Sequence, residues 1–162
     1  MIEEDHCVYI KRSKNNFIVI TLYVDDILLA ANDKLLIEST KQWLSTTFDM
    51  KDMGEASYIL GVKITRDRSK KFLGLSQETY IQKVLERFNM SSCKPVTTPV
   101  ERNTSLSVRM CPKTTAEKEK MARVPYSNAV GSLMYAMMCT RPDICYAVSL
   151  VSRFQSDPGE QH

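Results

Sequence analysis

Histidine is scarce in this sequence, and its two histidines, His6 and His162, lie near the ends of the chain. No internal histidine is therefore present for a Ser-His or Cys-His catalytic pair. The five cysteines are an odd number, and none forms a Cys-x-x-Cys pair. Reduced thiols are expected, and a zinc site is not indicated. Catalysis by carboxylates and a metal ion is the class that remains.

Long apolar runs are also missing, since none reaches the length of a membrane-spanning helix. The N-terminal residues MIEEDHCVYI are acidic and do not resemble a signal peptide. These absences predict an intracellular protein without a membrane partner. Hydrophobic residues make up 43% and charged residues 25% of the chain, which is typical of a folded protein. The net charge of +3 is too small to indicate a nucleic-acid partner by itself.

The most informative stretch is FIVITLYVDDILLAA, residues 17 to 31, in which Asp25 and Asp26 interrupt an apolar run. The segments on either side have the length and composition of buried strands, so the stretch predicts a hairpin. Two adjacent carboxylates between such strands need either a solvated turn or a compensating cation. Closely placed oxygen ligands suit Mg²⁺. A plain surface turn and a divalent-metal site both remain open on this pattern.

Several segments resemble the polymerases of copia-type LTR retrotransposons. Tyr23-Val24-Asp25-Asp26 is similar to the YxDD metal-binding motif of reverse transcriptases, with Tyr23 and Val24 flanking the carboxylates. Four later segments resemble the family in the same order: FDMKDMGEASYILGVKI, LSQETYIQKVLERFNM, CKPVTTPV and YSNAVGSLMYAMMCTRPDICYAV. The resemblance therefore covers nearly the whole chain.

The resemblance implies the C-terminal part of a polymerase domain of a Pol polyprotein, ending before ribonuclease H. Asp25 and Asp26 would be catalytic metal ligands for Mg²⁺, with Mn²⁺ as a substitute. An RNA template, a DNA primer and a dNTP would be bound in the intact enzyme, in a cytoplasmic particle or the nucleus. Another aspartate of the family's site would come from an upstream palm strand, and the rest of the polyprotein would be a partner. The alternative is a catalytically dead remnant that binds nucleic acid weakly at most.

The alternating segment from Tyr58 to Thr65 predicts a strand, followed by a turn at residues 67 to 70 and a returning strand. The resemblance to reverse transcriptases implies that Leu60 and Gly61 lie in the primer-grip hairpin, next to the primer end. Glycine suits a close approach of the backbone there. Five basic residues surround the turn: Lys63, Arg66, Arg68, Lys70 and Lys71. They predict either contacts with a phosphate backbone or a solvated hairpin tip.

Lys51 follows the first predicted helix. The resemblance gives it a possible role beside the leaving pyrophosphate, and a surface lysine explains it equally well.

The predicted fold is α+β, a partial polymerase palm with a small antiparallel sheet backed by helices near residues 33–48 and 76–89. Asn32 or Asp33 is expected to cap the first helix, Ser76 the second, and Trp43 to lie in the core rather than stack on a base. Residues 1–93 would form the palm part, and the proline-containing residues 94–125 a linker with one short helix. Residues 126–162 would form a thumb-like or connecting helical hairpin. Its expected apolar faces are Val130, Leu133, Met134 and Met137, and then Ile144, Val148, Val151 and Phe154.

Overall fold

The computed structural model describes residues 1–101 and 103–162. Contacts between residues divide the chain into a first unit, Met1–Ala56, and a second unit, Ser57–His162. The division into palm, linker and helical hairpin rests on sequence character and stays a prediction.

The first unit contains a three-stranded antiparallel sheet in the order β1-β2-β3. Its strands are β1 (Val8–Ser13), β2 (Asn16–Tyr23) and β3 (Asp26–Ala31). Valine, isoleucine and aromatic residues are frequent in β1 and β2, as expected for half-buried strands. Strands β2 and β3 pair from Ile18 with Ala31 to Tyr23 with Asp26. This confirms the predicted hairpin.

Helix α1, Lys34–Thr47, follows the sheet and packs against β3. Asp33 is its N-cap, because a side-chain oxygen of Asp33 accepts a hydrogen bond of 2.9 Å from the Leu35 N–H. The buried side chains of the unit include Ile18 and Leu44, from the sheet and the helix. The prediction for Trp43 is wrong. Its side chain is 56% exposed, because at this register Leu44 is the α1 residue that is buried.

The second unit begins with another three-stranded antiparallel sheet, β4-β5-β6. Its strands are β4 (Tyr58–Ile59), β5 (Val62–Asp67) and β6 (Phe72–Ser76). The expected continuous strand from Tyr58 to Thr65 is wrong, because a two-residue turn at Leu60 and Gly61 reverses the chain. Ile59 pairs with Val62 across this turn, so Ile59, Val62 and Ile64 share a face and Tyr58 lies on the other. The alternation of Tyr58, Leu60, Val62 and Ile64 in the sequence therefore does not correspond to one face of the sheet.

Helix α2, Glu78–Arg87, follows β6 and packs against a later helix of the same unit. The N-cap is Gln77 and not Ser76. Ser76 lies one residue earlier, and its hydroxyl accepts a hydrogen bond of 3.3 Å from the Glu78 N–H. Asn89 has a φ of 56°, a left-handed conformation that ends helices.

The predicted linker contains a short 3-10 turn, Val108–Met110, and helix α3, Thr115–Ala122. Thr114 and Glu117 cap α3 reciprocally, since each side chain accepts a hydrogen bond from the other's backbone N–H. Hydrogen bonds to the Glu117 carboxylate from the Lys113 N–H, and then from the Thr114 N–H, hold the pKa of Glu117 below its usual value. The expected short helix is therefore present.

The C-terminal part consists of α4 (Tyr126–Cys139), a 3-10 turn (Pro142–Ile144) and α5 (Cys145–Ser152). Helices α4 and α5 pack together, which confirms the helical hairpin. Its buried residues are Val130, Ser132, Ala136, Val148, Leu150 and Phe154. Leu133 was expected on the buried face and is 39% exposed, because the face that α4 buries passes through Ser132 and Ala136.

The described elements confirm an α+β fold of antiparallel sheets and helices, with the helical part at the C-terminal end. The five cysteines are free thiols. Among residues 1–101 and 103–162, the helices are too short or too polar for any of them to cross a membrane.

Candidate functional site

The two carboxylates lie at the turn that joins β2 and β3. Tyr23 pairs with Asp26, so Val24 and Asp25 are the two central residues of the turn. Val24 has a φ of 52° and a side chain that is 89% exposed. Val24 has a positive φ and Asp25 does not, which is the pattern of a type II′ hairpin turn, where glycine usually occupies the first central position. A β-branched residue in this conformation is strained, and such strain is concentrated at functional sites.

The sheet determines which way Asp26 faces. Asp26 shares a face with its cross-strand partner Tyr23. Tyr23 lies on the face opposite the buried Ile18, because the two are an odd number of positions apart along β2. Asp25 and Asp26 are both exposed. The carboxylate of Asp26 therefore lies on the face of the sheet that does not carry the buried core.

The donor set of this turn fits a hard divalent cation. Two successive carboxylates supply oxygen ligands, and Mg²⁺ is commonly held by one or two carboxylates together with water and substrate phosphates. Within the part of the chain that the structure describes, no group of three or more histidine, cysteine, aspartate or glutamate side chains could hold a metal ion.

Lys51 lies in the irregular segment after α1, and its side chain is exposed. The neighbouring Asp52 has the more defined environment. It accepts hydrogen bonds from Lys41, at 3.0 Å, and from the Gly54 N–H, at 2.9 Å. The bond from Lys41, followed by that from Gly54, holds the pKa of Asp52 below its usual value. Asp52 therefore ties this segment to α1.

Leu60 and Gly61 form the two-residue turn between β4 and β5, with φ angles of 49° and 78°. Two successive positive φ angles are typical of a type I′ turn. The Leu60 carbonyl accepts a hydrogen bond from the hydroxyl of Tyr135 on α4. The ring of Tyr80 on α2 lies against Gly61 and makes an edge contact with Tyr135. Both tyrosines therefore lie beside the Leu60–Gly61 turn.

Sequence reasoning missed Tyr80 and Tyr135. Both occur in helical segments next to apolar residues. The available signal was their hydroxyl groups, which need a hydrogen-bond partner when the ring is packed.

The five basic residues lie on the β5–β6 hairpin of the second unit and are all exposed. Lys63 pairs with Ser76 and Arg66 pairs with Leu73, so these two residues point to opposite faces of β5. Arg68, Lys70 and Lys71 belong to the connecting turn, where Lys70 lies 3.4 Å from Asp67. The basic residues therefore surround the hairpin tip and do not line one face of the sheet.

The family comparison matches residues 1–102 to the family described as reverse transcriptase (RNA-dependent DNA polymerase). Over 159 residues the chain is 60% identical to the Retrovirus-related Pol polyprotein from transposon TNT 1-94 of Nicotiana tabacum. Over 158 residues it is 39% identical to the corresponding polyprotein from transposon RE1 of Arabidopsis thaliana. Each match covers 98% of this chain, but only 12% of the first relative and 10% of the second.

No solved structure matches the chain. The family match extends over more than half of the residues and includes the YVDD turn. The two polyproteins match nearly the entire chain, including the helices after residue 102. The chain therefore belongs to the reverse transcriptase family, as part of the polymerase region of copia-type retrotransposon Pol polyproteins.

Proposed function

We propose that this chain supplies the Asp25–Asp26 part of the active site of an RNA-directed DNA polymerase. The observation that carries the proposal is the position of both carboxylates, exposed at a strained two-residue turn between paired strands. The paired, largely half-buried strands β2 and β3 form the base of the hairpin, and the turn places two acceptor groups at its end. This is a suitable arrangement for holding a cation and a phosphate-bearing substrate together.

Asp25 and Asp26 would hold Mg²⁺, for which Mn²⁺ can substitute. When bound, such ions activate the primer hydroxyl and neutralise charge on the leaving pyrophosphate. The contribution of the protein is to orient the two carboxylates. Val24 is the first central residue of the turn, and Tyr23 pairs with Asp26 at the end of the sheet. In the second unit, Leu60 and Gly61 would contact the primer, a role that rests on the resemblance to reverse transcriptases.

A further carboxylate would come from an upstream segment of the polyprotein. Strand β3 lies at the edge of its sheet among the described strands. The N–H and C=O groups along such an edge can pair with an additional strand. A strand added there would lie beside Asp26, the first residue of β3. The apolar sequence ILLAA of β3 favours such a covered position over an exposed one.

The nucleic acid would be contacted through positive charge. The exposed residues around the hairpin tip include Lys63, Arg66, Arg68, Lys70 and Lys71. Phosphate contacts of this kind increase affinity without sequence preference and weaken with salt. Lys51 would lie near the leaving group by the resemblance alone, so its role is the least supported of these assignments.

A second candidate is a remnant without polymerase activity that binds nucleic acid weakly. The observation that favours it is the lack of a three-ligand metal group within the described residues. It predicts salt-sensitive binding through the basic hairpin and no dependence of function on Asp25. The two candidates therefore predict different effects of Asp25→Asn. The polymerase would lose primer extension, whereas nucleic-acid binding by the remnant would be unaffected.

The decisive experiment uses a chimera in which this chain replaces the matching residues of the TNT 1-94 Pol polyprotein. Primer extension on an RNA template is measured with Mg²⁺ for the parent chimera, Asp25→Asn and Asp26→Asn. Asp25→Asn should abolish extension, because it removes the charge of a metal ligand with little change of shape. Asp26→Asn is expected to reduce extension less.

Asp49→Asn is the matched control, since Asp49 is an exposed aspartate of the same unit outside the turn. The control should extend primers as well as the parent. Full activity of Asp25→Asn would refute the catalytic assignment. An inactive parent chimera that is folded and binds the primer-template would favour the remnant.

A further inference from the structure

We propose that Tyr135 is a positioning residue, which holds the Leu60–Gly61 turn in place for contact with the primer strand. The inference rests on the proposed polymerase function and goes beyond it. It assigns a role in primer alignment to helix α4, far along the chain from the turn. The contacts that support it all lie within the second unit.

The first support is the hydrogen bond from the Tyr135 hydroxyl to the Leu60 carbonyl, which joins residues 75 positions apart. Leu60 is the first central residue of the turn, and its φ of 49° is unfavourable for a residue other than glycine. A long-range hydrogen bond on this carbonyl therefore stabilises a backbone conformation that the local sequence does not favour. Removing the hydroxyl leaves the turn without that restraint.

The second support is the position of Tyr80. Its hydroxyl donates a hydrogen bond of 3.1 Å to the Ser132 carbonyl of α4. Its ring centroid lies 5.1 Å from that of Tyr135, with the ring planes at 78°. Edge contacts of this kind are favourable between aromatic rings. The Tyr80 ring therefore limits the directions in which the Tyr135 ring can move.

The rings also contact the second residue of the turn. A methyl group built on Gly61 would lie 3.9 Å from the Tyr80 ring and 4.0 Å from the Tyr135 ring, which is ordinary van der Waals contact. The φ of 78° at Gly61 is one that glycine adopts easily. One side of the turn thus lies on the two tyrosines.

The other side of the turn is available to a partner. The Leu60 side chain is 42% exposed. A turn that is fixed on one side and exposed on the other can present its backbone in a constant position. For a polymerase, such a contact restrains the end of the primer, and a displacement of about 1 Å can reduce the rate by about a hundredfold. Tyr135 would act through the turn and would not touch the reacting atoms.

The test compares Tyr135→Phe with Tyr126→Phe in the chimera described above. Both substitutions keep the ring and remove one hydroxyl from α4. The Tyr126 hydroxyl donates to the Val151 carbonyl at 2.9 Å and joins α4 to α5, away from the turn. Kinetics of primer extension would be measured with varied dNTP and with varied primer-template, together with the thermal unfolding of each variant.

Tyr135→Phe should lower kcat about tenfold with little change in KM for dNTP, as expected when alignment of the primer is impaired. Tyr126→Phe should leave kcat within about twofold of the parent. In the 162-residue chain, Tyr135→Phe should shift the amide nitrogen resonance of Gly61, because this nitrogen shares a peptide group with the Leu60 carbonyl. Tyr126→Phe should leave that resonance in place.

Equal losses of kcat in the two variants would show a purely structural role and overturn the inference. So would an unchanged kcat in Tyr135→Phe, or an unchanged Gly61 resonance. An inactive parent chimera refutes the proposed function, and primer positioning is refuted with it. An active parent with an active Tyr135→Phe variant refutes the positioning role alone.

Discussion

The hydroxyl of Thr140 donates a hydrogen bond of 2.8 Å to the side-chain carbonyl of Gln77, and so connects the C-terminal end of α4 with the N-terminal end of α2. The side chain of Gln77 is 2% exposed. Its amide nitrogen is buried and has no hydrogen-bond partner within the described structure. At the α2–α4 contact, the side-chain oxygen of Gln77 therefore has a hydrogen-bond partner, and its side-chain nitrogen has none within the described structure.

This relationship predicts the effect of Gln77→Glu. The carboxylate would still accept the bond from Thr140, but a buried charge is costly, and we expect a loss of about 2 kcal/mol in the free energy of unfolding at pH 7. Burial would raise the pKa of the new carboxyl in the folded state. The loss of stability caused by Gln77→Glu should therefore be small near pH 4. It should grow as the pH rises above the pKa of about 4.3 that the carboxyl has in the unfolded chain.

Urea unfolding at pH 4 and pH 7 measures this difference. Gln161→Glu is the control, because Gln161 is exposed. This substitution should change the free energy of unfolding little at either pH. An equal effect of the two substitutions would show that burial of Gln77 has little energetic consequence.

A second prediction concerns the strain at Val24. Val24→Gly should raise the free energy of unfolding by about 0.5 kcal/mol, since relief of the positive φ outweighs the greater entropy of glycine in the unfolded chain. Val8→Gly in β1 should instead lower the free energy of unfolding. The φ of Val8 is not positive, so no strain is relieved, and a side chain that packs is lost. Thermal unfolding of both variants tests the comparison, and a similar destabilisation in both would argue against strain at the turn.

A third prediction concerns metal binding by the 162-residue chain. Two carboxylates without a third protein ligand should bind Mg²⁺ weakly, with a Kd on the order of 1 mM or above, and the chain alone should not extend a primer. Asp25→Asn and Asp26→Asn should each weaken binding, whereas Asp49→Asn should not. Amide resonances of Val24 to Ile27, followed during a Mg²⁺ titration, report this directly. Robust incorporation of nucleotides by the chain alone would contradict the ligand count.

A fourth prediction concerns pH and the Arg141–Asp143 pair. The guanidinium of Arg141 donates two hydrogen bonds to the Asp143 carboxylate, at 2.8 Å and 2.7 Å. These bonds hold the pKa of Asp143 below its usual value. A lowered folded pKa contributes stability above the unfolded pKa, which is lost as the pH falls through the folded value. The contribution is modest, because both side chains are exposed.

Carbon-13 titration of the Asp143 carboxyl group measures this shift. Arg141→Gln should return the pKa of Asp143 towards its ordinary value, and Arg153→Gln should leave it lowered, since Arg153 is exposed and is not among the groups that lower this pKa. If Asp143 titrated in the same way in Arg141→Gln, the ion pair with Arg141 would not be the cause of its lowered pKa.

Sequence by itself determined the features that depend on neighbouring residues. The length and the apolar, β-branched composition of two short segments predicted β2 and β3, and the YVDD segment between them predicted the hairpin turn, because strand and turn preferences depend on a few adjacent residues. Asn32 and Asp33 were the two candidate caps of α1, because a cap bonds to the next few N–H groups, and the structure shows that Asp33 is the N-cap. The resemblance to reverse transcriptases likewise depended on the order of short motifs, and family comparison confirmed it.

Only the tertiary structure decided the features that depend on distant residues. The turn at Leu60 and Gly61 interrupts an alternating pattern, and its carbonyl is bound by Tyr135, 75 positions away. The exposure of Trp43 and the burial of Gln77 likewise depend on which helix faces are covered. The hydrophobicity of each residue indicates whether its burial is favourable. Which residues are actually buried depends on how the sheets and helices pack.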